Sequence, residues 1–222
     1  MDRILNLTVN NINGLDNAHT ASGPTPAIAP KFKKFDEFLS AMVAVERADL
    51  QFGYIMHEDK DKQLALYFKK SSLQKPEVQN LINLMNLDGQ SNIYPIYAEL
   101  ETEENQSEIQ IDFRSLAGIQ FFLSHGIKIP EEHLDEGLVQ VTMNSDGTEF
   151  DWTEITGELI TIHSSRNEPK HGAAKVFYRD YWFYIEDSDI TSKYTFMLLN
   201  QIESLQSGEI KESGPTLTLP VN

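Results

Sequence analysis

The chain of 222 residues contains no cysteine. This excludes disulfides, thiolate nucleophiles, Cys-based zinc sites and iron–sulfur clusters together. It leaves the compartment open, because domains of oxidising compartments can also lack Cys. Basic residues are scarce: 18 Lys+Arg stand against 34 Asp+Glu, a formal net charge of −16 at pH 7. Such a field repels phosphate backbones, so nucleic acid and anionic membranes are disfavoured as partners. No apolar run reaches the length of about 18 residues that a transmembrane helix needs. The N-terminal residues lack the basic region, long apolar stretch and cleavage site of a signal peptide. The phosphate-cradling patterns GxxxxGK[ST] and GxGxxG are missing, as are the GxSxG elbow and HExxH.

What is present is an ordinary globular composition, 40% hydrophobic and 10% aromatic. A chain of this length buries roughly 70% of its unfolded surface and needs no staple. Apolar residues at spacings of three and four predict a helix over residues 1–15, through Leu5, Val9 and Ile12. Residues 16–30, rich in Pro, Gly, Ser and Thr, read as a linker. The strongest helix covers 30–48, where Phe32, Phe35, Phe38, Leu39 and Met42 form a wide apolar stripe. Alternation predicts a hairpin from 50–56 and 64–68 around a charged turn at 57–62. A helix follows over 76–87, with Pro76 in its first turn and Gly89 past its end. Pro95 marks 93–100 as an edge strand. Residues 101–108 form an acidic loop, and 108–113 a strand.

In the second half, helices are expected over 115–125 and from Pro130, and strands over 139–143, 148–152 and around 159–163. A hairpin of 173–178 and 181–185 turns at Arg179-Asp180. A long helix covers 189–206, and a closing strand 215–221, where Leu217, Leu219 and Val221 alternate. About six helices and eight strands, mostly in hairpins, indicate an α+β fold with an antiparallel or mixed sheet and helices packed on it. The organisation is a helical and hairpin lobe over 1–112 and an α+β lobe over 113–222, or one continuous domain.

Several clusters carry chemical potential. Glu186, Asp187 and Asp189 supply hard oxygens suited to Mg²⁺ or Ca²⁺. They also sit where a helix starts, so Ser188 or Asp189 is a natural N-cap. The EF-hand spacing is absent, and no organic cofactor is expected; a divalent cation is the one candidate. His133 within EEHLDE is either a surface metal ligand or part of a solvated acidic face. Lys31, Lys33 and Lys34 lie among phenylalanines at core spacing, so they do not indicate nucleic acid. Tyr181, Trp182, Phe183 and Tyr184 form a dense aromatic run. On a strand, Trp182 and Tyr184 share one face and Tyr181 and Phe183 the other. One face suits the core, and the other an interface with a protein partner or a second copy.

The stretch YRDYWFYIEDSDITSKYTFMLLNQIESLQSGE (178–209) with GPTLTLPVN (214–222) resembles the end of a widespread bacterial family of uncharacterised proteins. Its signature reads YRxYWFYIxDxDxxSKxTFxLL, then GPxLTLPV. FRSLAGIQFFLSHGIKIPEEH (113–133) is similar to that family's RSLxGxx(F/Y)(F/Y)LSxG(V/I)x(V/I)P, and VNNINGLDN (9–17) to its SINGLRN. The chain departs from the pattern in the 101–108 loop and at Asp180, where Gly is usual. The resemblance implies an envelope- or lipoprotein-associated protein of the bacterial periplasm or outer-membrane periphery. It also implies that this chain corresponds to the C-terminal part of a longer one. No catalytic residue comes with it. The expected function is therefore a non-enzymatic binding or assembly domain. The alternative is a carboxylate- or metal-dependent hydrolase built on Glu186, Asp187 and Asp189.

Overall fold

Asn13 and Gly14 reverse the chain in the computed structural model, which describes residues 2–45, 47, 49–56, 62–98 and 105–207. Both have positive φ, 45° and 80°. That is the conformation of a two-residue type I′ hairpin, which Asn-Gly adopts most readily. Residues 1–15 are therefore not one helix. α1 covers Asp2–Thr8, and a hairpin of β1 (Val9–Ile12) and β2 (Leu15–Asp16) follows. A bulge between Val9 and Asn11 lets both Val9 and Ile12 bury. The Asn13 amide donates to the Met85 carbonyl at 2.8 Å, and its Oδ1 accepts from the Gln110 N–H at 2.7 Å. The asparagines that weaken a helix thus hold a turn.

The large sheet adds β3 (Leu50–Met56), β4 (Lys62–Phe68), β5 (Ile93–Tyr97) and β6 (Ile109–Phe113) in the order β2-β1-β6-β5-β4-β3. Only the β5–β6 pair is parallel. Pro95 therefore sits in an interior strand, not at an edge. It lies opposite Ala65 of β4, one residue before pairing with β6 begins at Ile96. The residue without an N–H falls outside the β5–β6 ladder, which is what an interior proline requires. α2 (Lys33–Ala44) and α3 (Pro76–Leu84) cover this sheet. Phe35, Phe38, Val78, Leu81 and Ile82 bury against Leu66, Phe68, Tyr94 and Ile109 as one core.

A second core gathers Leu7, Ala18, Ala21, Ile119, Phe122, Leu123, Phe150, Ile155, Leu159, Ile160 and Ile185. α4 (Leu116–Ser124), α5 (Glu131–Asp135), α6 (Thr153–Thr156) and α7 (Ile190–Ser207) belong to this half. So does a small antiparallel sheet in the order β7 (His163–Ser165), β9 (Tyr181–Ile185), β8 (Ala174–Tyr178). The stretch 16–30 is not a linker: Ala18 and Ala21 are fully buried in this core, around a 3₁₀ turn at His19–Ser22. Residues 139–152 form no regular strand. Their strand-like pairing is limited to isolated bridges, Ile28 with Met143 and, within the stretch, Met143 with Glu149. The strand expected at 159–163 begins only at His163; Ile162 makes one bridge to Ile127. The architecture is α+β, with seven α-helices and nine strands among the described residues. The closing strand at 215–221, the hairpin tip at 57–61 and residues 101–104 lie outside the described residues.

Arg114 joins the two halves. Its side chain is buried and donates to the carbonyls of Asn6, Leu7, Val9 and Asn17 and to Ser22 Oγ. Its guanidinium lies 3.8 Å from the Phe122 ring centroid. Burial pushes it down to about 9, opposed by Asp112, so it stays charged at neutral pH. The resembling motifs at 9–17 and 113–133 therefore meet at a structural joint.

Candidate functional site

Helix α4 ends at His125, and Gly126 follows with its Cα pressed against strand-like backbone. A Cβ there would meet the Ile160 carbonyl oxygen at 2.6 Å. That close approach lets Ile162 N–H bond to the Gly126 carbonyl and Lys128 N–H to the Ile162 carbonyl. The result is one wall of a cleft of about 950 Å³. Ile127, Ile129, Ile160 and Ile162 supply that wall, Val139, Val141 and Phe150 another, and Val176 and Phe183 of the small sheet a third. The volume lies within the range of small-molecule sites.

His125 and Trp152 lie in this lining, stacked at 3.8 Å between ring centroids and 14° between planes. Phe150 meets Trp152 edge-on at 5.2 Å. Burial holds the His125 imidazole down to about 4, although the Ala21 backbone favours its charged form. It is therefore neutral near physiological pH. Its Nε2 is buried and has no hydrogen-bond partner. Among the described residues no carboxylate hydrogen-bonds the ring; the Ala21 backbone is the partner that orients it. The charged lining side chains Lys128, Glu149 and Asp151 are exposed. Asp151 accepts from the Thr153 hydroxyl and N–H, which hold its carboxyl below the usual range.

The acids singled out in the sequence lie elsewhere. Asp189 caps α7: Oδ1 accepts from the Ser192 N–H at 2.9 Å, and Oδ2 from the Ser192 hydroxyl at 2.5 Å. Burial alone would raise its pKa, but these two bonds bring it below the ordinary value. Ser192 in turn accepts from the Thr161 N–H, fixing α7 to the segment that walls the cleft. The Glu186 carboxylate accepts a long bond from the Ser188 hydroxyl, and the Asp187 carbonyl accepts from Lys193. None of the three acids lines the cleft. Among the described residues no group of three or more His, Asp or Glu side chains gathers to hold a metal ion. His133 is buried and packs edge-on against Tyr181 at 5.1 Å. Its neighbour Glu132 accepts from Arg166 and the Tyr181 hydroxyl.

The aromatic run divides across β9. Pairing puts Tyr181 and Phe183 opposite Tyr178 and Val176, on the face that carries buried Ile185. Phe183 reaches the cleft. Trp182 and Tyr184 point the other way, with Phe177 at 5.3 Å from Trp182 and His163 at 5.6 Å from Tyr184. No sequence pattern marks the cleft. Trp152 and His125 are far apart in the chain, and neither falls in a motif; only the helix end at His125 and Gly126 was legible. No helix of the described residues is long and apolar enough to cross a membrane. No protein-family model, no curated protein and no solved structure matches the chain.

Proposed function

We propose that this protein is a non-enzymatic binding domain whose cleft takes up an uncharged apolar small molecule. The cleft walled by isoleucines, valines and phenylalanines over the His125–Trp152 stack carries this reading. Apolar walls favour an apolar guest through the area removed from water. The neutral imidazole and the overall charge of −16 select against anions. A bacterial envelope setting, in the periplasm or at the outer-membrane periphery, follows from the family resemblance and suits such a guest.

The test is a titration with N-phenyl-1-naphthylamine, an uncharged dye that brightens in apolar sites. A saturable rise in emission, with Trp152 fluorescence quenched in parallel in a Trp182→Phe background, supports the reading. Val176→Lys places a charge on an exposed cleft residue and should weaken binding at least tenfold while the melting curve stays unchanged. No dye binding, or binding indifferent to Val176→Lys, would overturn it.

A further inference from the structure

The sequence contains a single Asn-Gly pair, Asn13-Gly14. An asparagine is chemically least secure in this context, because glycine has no Cβ to shield its own nitrogen. Once that nitrogen gives its proton to water, it can attack Cγ of the preceding side chain. A bond forms between the Gly14 nitrogen and Asn13 Cγ, the Cγ–Nδ2 bond breaks, and ammonia leaves. The resulting five-membered succinimide adds one water at either carbonyl. It opens to aspartate, or to isoaspartate with the main chain running through the side-chain carboxyl.

The fold restrains both reacting groups. Asn13 Nδ2 donates to the Met85 carbonyl at 2.8 Å and to the Glu108 carbonyl at 3.2 Å, while Oδ1 accepts from the Gln110 N–H at 2.7 Å. The Asn13 backbone N–H donates to the Gln110 carbonyl at 3.0 Å. Cγ is thereby tied toward β6 and the end of α3, and it cannot swing over the next nitrogen. The nucleophile is occupied as well: the Gly14 N–H donates to Asn11 Oδ1 at 2.9 Å. Asn11 is itself fixed, its amide donating to Asp16 Oδ1 at 3.0 Å. A proton shared with a fixed acceptor is harder to lose, and the bond directs the nitrogen at Asn11 instead of Asn13 Cγ. Gly14 is exposed, so access of water does not limit the reaction.

We infer that Asn13 is a latent deamidation site, locked by the native fold and released when the β1–β2 turn opens. The reaction is one-way for this structure. Aspartate at position 13 aims a carboxylate oxygen at the Met85 and Glu108 carbonyls, where a donor stood. Isoaspartate lengthens the main chain by one carbon inside a two-residue turn whose flanks pair Ile12 with Leu15. Neither product regains the contacts of the native turn. Time spent open is thus written into the chain as a permanent mark, and each marked chain opens more readily than before.

Peptide mass mapping at neutral pH and body temperature tests this. It follows the conversion of Asn13 in the folded chain, in the chain unfolded in urea, and in a free peptide of residues 9–17. The unfolded chain and the peptide should react at similar rates, and the folded chain at least tenfold more slowly. Asn11→Ala frees the Gly14 N–H and should speed the folded chain severalfold, beyond what any shift of its urea midpoint accounts for. Asn13→Asp reproduces one product and should lower that midpoint. A folded chain that reacts as fast as the peptide would overturn the proposal. So would an Asn11→Ala chain that reacts no faster than its midpoint predicts, or an Asn13→Asp chain as stable as the native one.

Discussion

Arg114 and Asn17 clamp the same stretch of backbone from two sides. Arg114 donates to the carbonyls of Asn6, Val9 and Asn17, and the Asn17 amide donates to those of Asn6 and Val9. The residues are 97 positions apart. The clamp explains how a buried charge with no ion pair among the described residues is tolerated: carbonyl dipoles and an aromatic face take the place of water.

Arg114→Lys should therefore be far from conservative. An ammonium on a flexible stem cannot reach five acceptors spread over three segments. The unsatisfied carbonyls should lower stability by about 3 kcal/mol or more. The urea midpoint measures this, and a loss under 1 kcal/mol, roughly that of one ordinary hydrogen bond, would contradict the clamp.

The Asn13-Gly14 turn has two separable contributions. Gly14→Ala keeps the hydrogen bonds but puts a Cβ on a residue with φ 80°, costing about 1 kcal/mol. Asn13→Gly tolerates the turn but loses the bonds to Met85, Glu108 and Gln110, costing about 2 kcal/mol. Thermal melts should rank Asn13→Gly as the more damaging.

The β8–β9 hairpin turns on Arg179 and Asp180, with φ 47° and 65°. These are the angles of a type I′ turn, without its preferred residues. Asp180→Gly should raise stability by about 1 kcal/mol, because glycine adopts this region without strain. A lower melting temperature would show that Asp180 has a role beyond the turn.

His125 should make stability depend on acid. Its folded value, about 4, lies below the ordinary 6.5. The unfolded chain thus binds its proton first as pH falls, and stability drops from about pH 6.5 down to about pH 4. Above that window its contribution is complete. NMR titration should find one imidazole near 4. His125→Phe should keep the stack on Trp152 and flatten this part of the stability profile.

Asp189→Ala should destabilise α7 by about 1 kcal/mol through loss of its cap. Because Asp189 is held below its ordinary value, the capping contribution is present above about pH 4 and lost as pH falls through its folded value. Millimolar Mg²⁺ or Ca²⁺ should leave the melting temperature of the native chain unchanged. A rise abolished by Asp189→Ala would show that these carboxylates hold a cation after all.

Local signals in the sequence were enough to determine the class of fold and most of its elements. The phenylalanine stripe of α2, the alternation in β3 and β4, the Ser115 cap of α4 and the β8–β9 hairpin all follow from period and punctuation. Asn13-Gly14 was equally local, but the helical spacing around it pointed the other way. Tertiary structure decided the rest. Residues 16–30 look like a linker by composition, yet small alanines are what fit beneath α4 in the second core. Pro95 signals an edge until the partner strand is known to start one residue later. The cleft needs four segments that no periodicity links, brought together by the close approach of Gly126 to Ile160. Period and capping act between neighbours in the chain, whereas cavities and buried charges depend on which distant backbone groups meet.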